Sequence, residues 1–227
     1  MKILLALLAA AIVSGCADPI ESAKEAVKAE AVNKNDIRYR NVEVFAGDVV
    51  CGEFEAPGMW GESSGFQYFI VRDDIANMSP KEEDRKIFCN ENPAAALQDV
   101  YGISPLNENN ETLKKIYDDL STLSEALDLY LEDYNKYPTG REPSGISKLL
   151  KPRKGSMLEE DAYISAIPLD PWGNDYIYEV PRLLHGAAQG KRYSLYTLGE
   201  DGKPGGSGNN ADIGKQHLKY LDHIAKL

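Results

Sequence analysis

The sequence predicts an α+β protein in which a small strand-rich part precedes a helix and a second small antiparallel sheet. Between residues 37 and 90, short runs alternate apolar and polar side chains and are separated by glycine-containing turns, as half-buried strands do. From Thr112 the apolar residues recur every three or four positions, which is the period of one face of an α-helix. Strand candidates return at 176–178 and 193–196, so helix and strands are segregated along the chain.

Composition argues against a nucleic-acid-binding protein and against a membrane-spanning helix. The chain has 227 residues, of which 43% are hydrophobic and 27% charged, and its net charge is -11. This length suits one large domain or two small ones. The acidity argues against a nucleic-acid partner, because a phosphate backbone requires a basic face. No apolar run reaches the roughly 18 to 20 residues that a membrane-spanning helix needs.

Residues 1–15 have the build of a secretory signal, with Lys2 followed by an apolar run over 3–13. The run ends in Val13-Ser14-Gly15-Cys16, which resembles the lipobox of bacterial lipoproteins. The resemblance implies cleavage before Cys16 and acylation of its thiol, so that lipid rather than a protein span anchors the mature chain. The alternative is an ordinary signal peptide that contains a cysteine by chance.

A lipid anchor implies a location in the cell envelope, facing the oxidising periplasm. Ala17 rather than an aspartate follows the lipobox, which favours the outer membrane over the inner one. With Cys16 acylated, Cys51 and Cys89 remain and predict one disulfide, the alternative being two buried free thiols. We interpret the polar, alanine-rich residues 16–36 as a tether, although a frayed helix also fits.

Residues 37–105 are expected to form a small strand-rich domain. The strand candidates are 42–44, 49–51, 66–71 and 86–89. The longest of them, Phe66-Gln67-Tyr68-Phe69-Ile70-Val71, has the strongest strand composition. A short helix is expected at 94–100, and Ser104-Pro105 with the asparagines up to 110 indicates a domain boundary.

Residues 111–227 open with the most regular pattern in the chain. One face of the expected helix is apolar: Leu113, Ile116, Tyr117, Leu120, Leu123, Leu127, Tyr130, Leu131 and Tyr134. The other face is acidic: Asp118, Asp119, Glu125, Asp128, Glu132 and Asp133. We interpret the acidic face as solvated rather than catalytic. A short helix at 144–150, a turn at 170–174 and a terminal amphipathic helix at 215–227 complete this part.

Residues 198–212 combine glycines with many oxygen donors, which suits a hard cation such as calcium. The segment lacks the ligand spacing of an EF-hand and the Gly-Lys-Ser/Thr of a phosphate loop. From composition alone, a plain surface loop fits the segment as well as a metal site does.

Several short motifs occur here in the order found in one family. They are Leu123, Ala126, Leu127 and Tyr130; Tyr137-Pro138; Asp170-Pro171-Trp172-Gly173-Asn174; a Tyr-x-Tyr strand; residues 193–202; Gly205-Gly206; and residues 211–214. In this combination, residues 112–215 resemble the periplasmic domain of the major pseudopilin of type II secretion. The resemblance implies an amphipathic helix packed on a small antiparallel sheet with a calcium loop.

The resemblance also implies a ligand set for Ca²⁺. Asp201 and Asp212 would supply carboxylates, Leu198 and Lys203 main-chain carbonyls, and Asn209 with its neighbour Asn210 the remaining loop ligands: Leu198, Asp201, Lys203, Asn209, Asn210 and Asp212. Where some relatives carry a second acid beside the last aspartate, this chain has Ala211, so we expect weaker affinity.

We therefore expect an envelope lipoprotein whose calcium-stabilised pseudopilin-like module has a structural or interaction role, linked to type II secretion or a pilus-like system. The alternative is a free-standing periplasmic binding lipoprotein that reuses the fold. The basic leader, its Gly-Phe-Thr-Leu-x-Glu site and the long hydrophobic helix of pseudopilins are missing, so we do not expect a pseudopilus. No enzyme is expected, because His185, His217 and His223 lie in no catalytic motif, and no small-molecule substrate is evident. The acidity of the chain leaves no nucleic-acid partner expected.

Overall fold

The computed structural model describes residues 18–58, 62–63, 65–104, 111–140, 145–158, 161–181 and 192–227. The signal, Cys16 and His185 lie outside the described residues. The chain forms two compact units, Met1–Pro80 and Lys81–Leu227. In the part of the chain that the structure describes, no helix is both long and apolar enough to cross a membrane.

The first unit is a four-stranded antiparallel sheet with one helix against it. The elements are α1 (Pro19–Glu30), β1 (Arg38–Phe45), β2 (Val49–Glu55), β3 (Gln67–Arg72) and β4 (Ile75–Asn77). The strands pair in chain order, so the sheet is a simple meander. Its central strand β2 places Cys51 opposite Ile70 of β3 and Glu43 of β1. The predicted strands at 42–44, 49–51 and 66–71 are therefore confirmed, although β1 begins at Arg38 and β2 ends at Glu55, each four residues beyond the predicted end.

Helix α1 occupies most of the segment that the sequence predicted as a tether. It begins at Pro19, where proline suits the first turn, and the Asp18 carboxylate accepts from the amide of Ile20 at 3.0 Å. Ala23 and Val27, four residues apart and so on one helix face, are fully buried. They join the core of the sheet, which contains Val50, Phe54, Phe69 and Val71. The sequence does not reveal the apolar face of α1, because the buried residues are small and lie between charged ones.

The second unit begins with helices. Its elements are α2 (Glu82–Phe88), α3 (Pro93–Tyr101), α4 (Glu111–Tyr134), β5 (Ile177–Glu179), β6 (Ser194–Thr197), β7 (Ile213–Gly214) and α5 (Leu218–Ala225). Helix α2 replaces the strand predicted at 86–89, so that prediction is wrong. Three acids in the first turn stabilise its N-terminus, and its Cys89 cap amide donates to the Arg85 carbonyl at 3.1 Å. A run of four residues was too short to distinguish the two periods.

The helices that flank α4 in the sequence pack on one another. Phe88 of α2 lies 5.1 Å from Tyr220 of α5 between ring centroids, and Tyr101 of α3 lies 4.5 Å from His217. Asp84 is buried, accepting from the Tyr220 hydroxyl at 2.6 Å and from the Lys219 ammonium. The second compact unit therefore starts at residue 81. The sequence had instead placed a domain boundary between residues 105 and 111.

Helix α4 has the predicted apolar face. Its buried residues are Leu113, Ile116, Leu120, Leu123, Ala126, Leu127 and Tyr130. The strands β5, β6 and β7 pair antiparallel in that order beside it. The α+β class with an antiparallel sheet is thus confirmed.

The acidic face of α4 is less solvated than predicted, because tyrosines hold three of its carboxylates. Tyrosine hydroxyls donate to Asp119, Asp128 and Asp133 at 2.8, 2.8 and 2.6 Å; the donors are Tyr176, Tyr137 and Tyr163. Hydrogen bonds from Arg153 and then from Tyr163 lower the pKa of Asp133 to about 2. Through these hydrogen bonds, the acids of α4 hold the segments that contain the three tyrosines against the helix.

Cys51 and Cys89 are both disulfide-bonded, as the sequence predicted for an oxidising compartment. Cys51 lies in the middle of β2, and Cys89 caps α2.

Candidate functional site

The candidate site is the loop over 198–212, which connects β6 to β7. Its base is closed by the pairing of Thr197 with Ile213 and of Tyr196 with Gly214. Because β7 has only two residues, this pairing is short, and further contacts are needed to hold the shape of the loop.

Two glycines allow the sides of the loop to touch. Gly199 has φ +69, and a Cβ on it would lie 2.6 Å from the carbonyl oxygen of Asn209. Gly206 has φ +93, and a Cβ there would overlap the Asn210 carbonyl oxygen. The amide of Glu200 donates to the Asn209 carbonyl at 2.8 Å, at the same crossing. The chain therefore needs glycine for both its left-handed backbone and its close approach.

Replacing Gly199 by alanine tests this crossing. The alanine must move the 209–210 backbone in addition to adopting a left-handed φ, so we expect a loss of roughly 3 kcal/mol in the free energy of unfolding. Gly202→Ala is the matched control, because Gly202 has φ +62 but nothing within 4 Å of its Cβ position. We expect it to cost only about 1 kcal/mol. Urea unfolding in EDTA measures both, and equal losses would contradict the close approach.

The two predicted carboxylates lie at opposite ends of the loop. One oxygen of Asp212, Oδ2, accepts from the Gly205 amide at 2.9 Å, while its Oδ1 is buried without a hydrogen-bond partner. Asp201 Oδ1 accepts from the Lys203 amide at 3.0 Å. A buried carboxylate oxygen without a partner is costly, and a hard cation would satisfy it. Asp212 therefore fits the predicted ligand role.

The remaining predicted ligands lie along the same loop. The Asn209 side-chain amide donates to Glu200 at 3.2 Å, and the Asn210 main-chain amide donates to the Ser207 carbonyl at 3.2 Å. Among the described residues, no three His, Cys, Asp or Glu side chains are grouped to hold a metal ion. The proposed ligand set has only two carboxylates, and carbonyl and amide oxygens complete it, so it is not a group of three such side chains. Oxygen donors of this kind suit calcium.

Sequence reasoning missed Asp170, which anchors the loop from outside. Asp170 is buried at the start of its turn, where Oδ1 accepts from the amides of Trp172 at 3.0 Å and Asn174 at 2.8 Å. Its Oδ2 accepts from the Thr197 hydroxyl at 2.7 Å, and that hydroxyl accepts from the Gly199 amide at 3.1 Å. The turn composition identified the local structure of 170–174, but no sequence signal joins Asp170 to a residue 27 positions later.

The described histidines have packing roles. His217 is buried, its Nδ1 accepts from the Gly214 amide at 3.2 Å, and burial lowers its pKa to about 4. His223 is buried with its ring centroid 5.3 Å from that of Phe88.

An amphipathic helix beside three short antiparallel strands, with a glycine-rich loop before the last strand, is the architecture expected of a pseudopilin periplasmic domain. The family described as type II secretion system (T2SS), protein G matches residues 106–216, from just before α4 to the residues after β7. The chain belongs to this family. The resemblance predicted from the motifs is thus confirmed.

Relatives of the same description come from several bacteria. The type II secretion system core protein G of Pseudomonas aeruginosa is 39% identical over 42% of this chain and 65% of its own length. Those of Vibrio cholerae and Klebsiella michiganensis are 34% and 32% identical, over 50% and 49% of this chain and 74% of their own lengths. The first unit, α2, α3 and α5 lie outside the family match.

Proposed function

We propose that this chain is a membrane-anchored envelope lipoprotein whose pseudopilin module has a structural role in type II secretion. The observation that carries the proposal is the family match over 106–216, which contains α4, the sheet β5 to β7 and the loop in one continuous segment. The relatives are named as core proteins of that secretion system. A module of this kind acts through its surface contacts and its rigidity.

The anchor part of the proposal rests on residues 1–16. The signal and Cys16 would place an acylated N-terminus in the membrane, with the outer membrane favoured, and would leave both units facing the periplasm. The oxidised Cys51 and Cys89 support an envelope location, since disulfides persist in oxidising compartments.

The calcium part of the proposal rests on the loop. Ca²⁺ would be held by the carboxylates of Asp201 and Asp212, by the carbonyls of Leu198 and Lys203, and by the Asn209–210 segment. A divalent ion there would join the two sides of a loop whose base has only a two-residue strand. The partnerless Oδ1 of Asp212 supports this reading.

Affinity purification of the full chain from detergent-solubilised membranes tests the link to secretion. We expect other components of the type II secretion system to co-purify with the tagged wild type, and not with an unrelated tagged lipoprotein of the same membrane. A Cys16→Ser variant is expected to lose acylation, which mass spectrometry of the N-terminal peptide measures. If only unrelated envelope proteins co-purify, the free-standing binding lipoprotein replaces the proposal.

A further inference from the structure

Hydrogen bonds hold the N–H group of the peptide bond between Leu198 and Gly199 in place. The Gly199 amide donates to the Thr197 hydroxyl oxygen at 3.1 Å, and the Thr197 hydroxyl donates to Asp170 Oδ2 at 2.7 Å. Thr197 is 0% exposed and Asp170 3% exposed, so water does not compete for these bonds. Asp170 is itself held by two amides of its own turn.

These hydrogen bonds also fix the direction of the Leu198 carbonyl. A peptide group is planar and trans, so its N–H and C=O point in opposite directions. Holding the Gly199 amide against Thr197 therefore sets the direction of the Leu198 carbonyl, which is one of the proposed calcium ligands. The next peptide group is held as well, because the Glu200 amide donates to the Asn209 carbonyl at 2.8 Å.

The charge on Asp170 sets the direction of the hydrogen bonds. An ionised carboxylate only accepts, so the Thr197 hydroxyl must donate to it and keeps its lone pairs for the Gly199 amide. A hydroxyl without this acceptor can rotate and lose that alignment. The chain of bonds thus runs from the 170–174 turn to the first residues of the loop.

We propose that Asp170, acting through Thr197, positions the Leu198 carbonyl and so sets the affinity of the loop for calcium. Both are positioning residues, since neither is among the proposed ligands. The inference rests on the proposed calcium site. Partners that orient metal ligands typically change affinity by roughly 10- to 100-fold when they are removed.

Calorimetric titration of the full chain with Ca²⁺ tests the proposal with three variants. Thr197→Val keeps the branched shape without the hydroxyl, and we expect its Kd for calcium to rise at least about tenfold. Thr197→Ser keeps the hydroxyl and should stay within about threefold of the wild type. Tyr178→Phe is the control, because it loses a buried hydrogen bond of 2.8 Å to the Pro138 carbonyl, away from the loop.

The outcomes separate positioning from general stability. The control should lower Tm in EDTA but leave Kd unchanged, whereas Thr197→Val should change both, and the Gly199 amide should exchange faster with solvent. Wild-type Kd in Thr197→Val would overturn the positioning role while calcium binding stands. If the wild type does not bind calcium, the proposed site fails and this inference fails with it.

Discussion

We expect calcium to raise the Tm of the wild-type chain, and we expect Asp212→Asn to remove that rise. At a calcium concentration 100 times Kd, binding contributes about 2.7 kcal/mol to the folded state. For a unit of this size, that amounts to a rise of roughly 5 to 10 °C. Asparagine keeps the shape of the side chain and an oxygen for the Gly205 amide, but it removes the charge that the ion would neutralise.

The same substitution has the opposite effect without calcium. In EDTA the Asp212 carboxylate buries Oδ1 without a partner, so Asp212→Asn should be as stable as the wild type or more stable. Thermal unfolding in EDTA, in calcium and in magnesium measures both effects. Asp118→Asn, an exposed acid of α4 paired with Lys114, is the control and should keep the full calcium response. A variant at Asp212 that also keeps it would contradict the ligand assignment.

Mild acid will destabilise the second unit through His217. Its pKa is about 4 in the folded chain, below the ordinary value of 6.5, because burial disfavours the charged ring. The folded state thus binds fewer protons than the unfolded state, so this stability is complete above pH 6.5 and decreases as pH falls towards 4. The loss should reach about 2 kcal/mol at pH 5 and about 3 kcal/mol in total. Protonation also ends the hydrogen bond from the Gly214 amide to Nδ1.

Urea unfolding between pH 7 and pH 4.5, with EDTA present throughout, isolates this effect. His217→Asn is the informative variant, because its oxygen can replace Nδ1 as the acceptor for Gly214 but does not titrate. It should lose the slope between pH 6.5 and 4.5. Asp133, whose pKa is lowered to about 2, contributes stability that is present above its unfolded value and is lost only as pH falls further. The same slope in both proteins would exclude His217 as its source.

The sequence predicted most clearly those parts of the fold that have a long period or a distinctive order of motifs. Helix α4 has 24 residues, so its apolar stripe repeats often enough to be unambiguous. The loop was recognisable because its glycines and acids follow a family order. Helix α2, with seven residues, offered too few positions to reveal its period.

Other features depend on contacts between distant residues. The buried face of α1 becomes apparent only when a sheet covers Ala23 and Val27. In the same way, the sequence places Asp119 on the solvated face of α4. Only the fold shows that the hydroxyl of Tyr176, 57 residues later, donates to it. The anchoring of the loop by Asp170 through Thr197 is of this kind too. Local patterns cannot encode such pairings, because each partner has another plausible role in its own segment.

We propose that residues 198–212 form a calcium-binding loop within the type II secretion protein G domain of this chain. Calorimetric titration of the chelator-treated wild-type chain with Ca²⁺ tests it most directly, with magnesium as the reference ion. We predict one calcium site per chain, a far weaker response to magnesium, and no site in Asp212→Asn. Absence of calcium binding by the wild-type chain at millimolar concentration would contradict the claim.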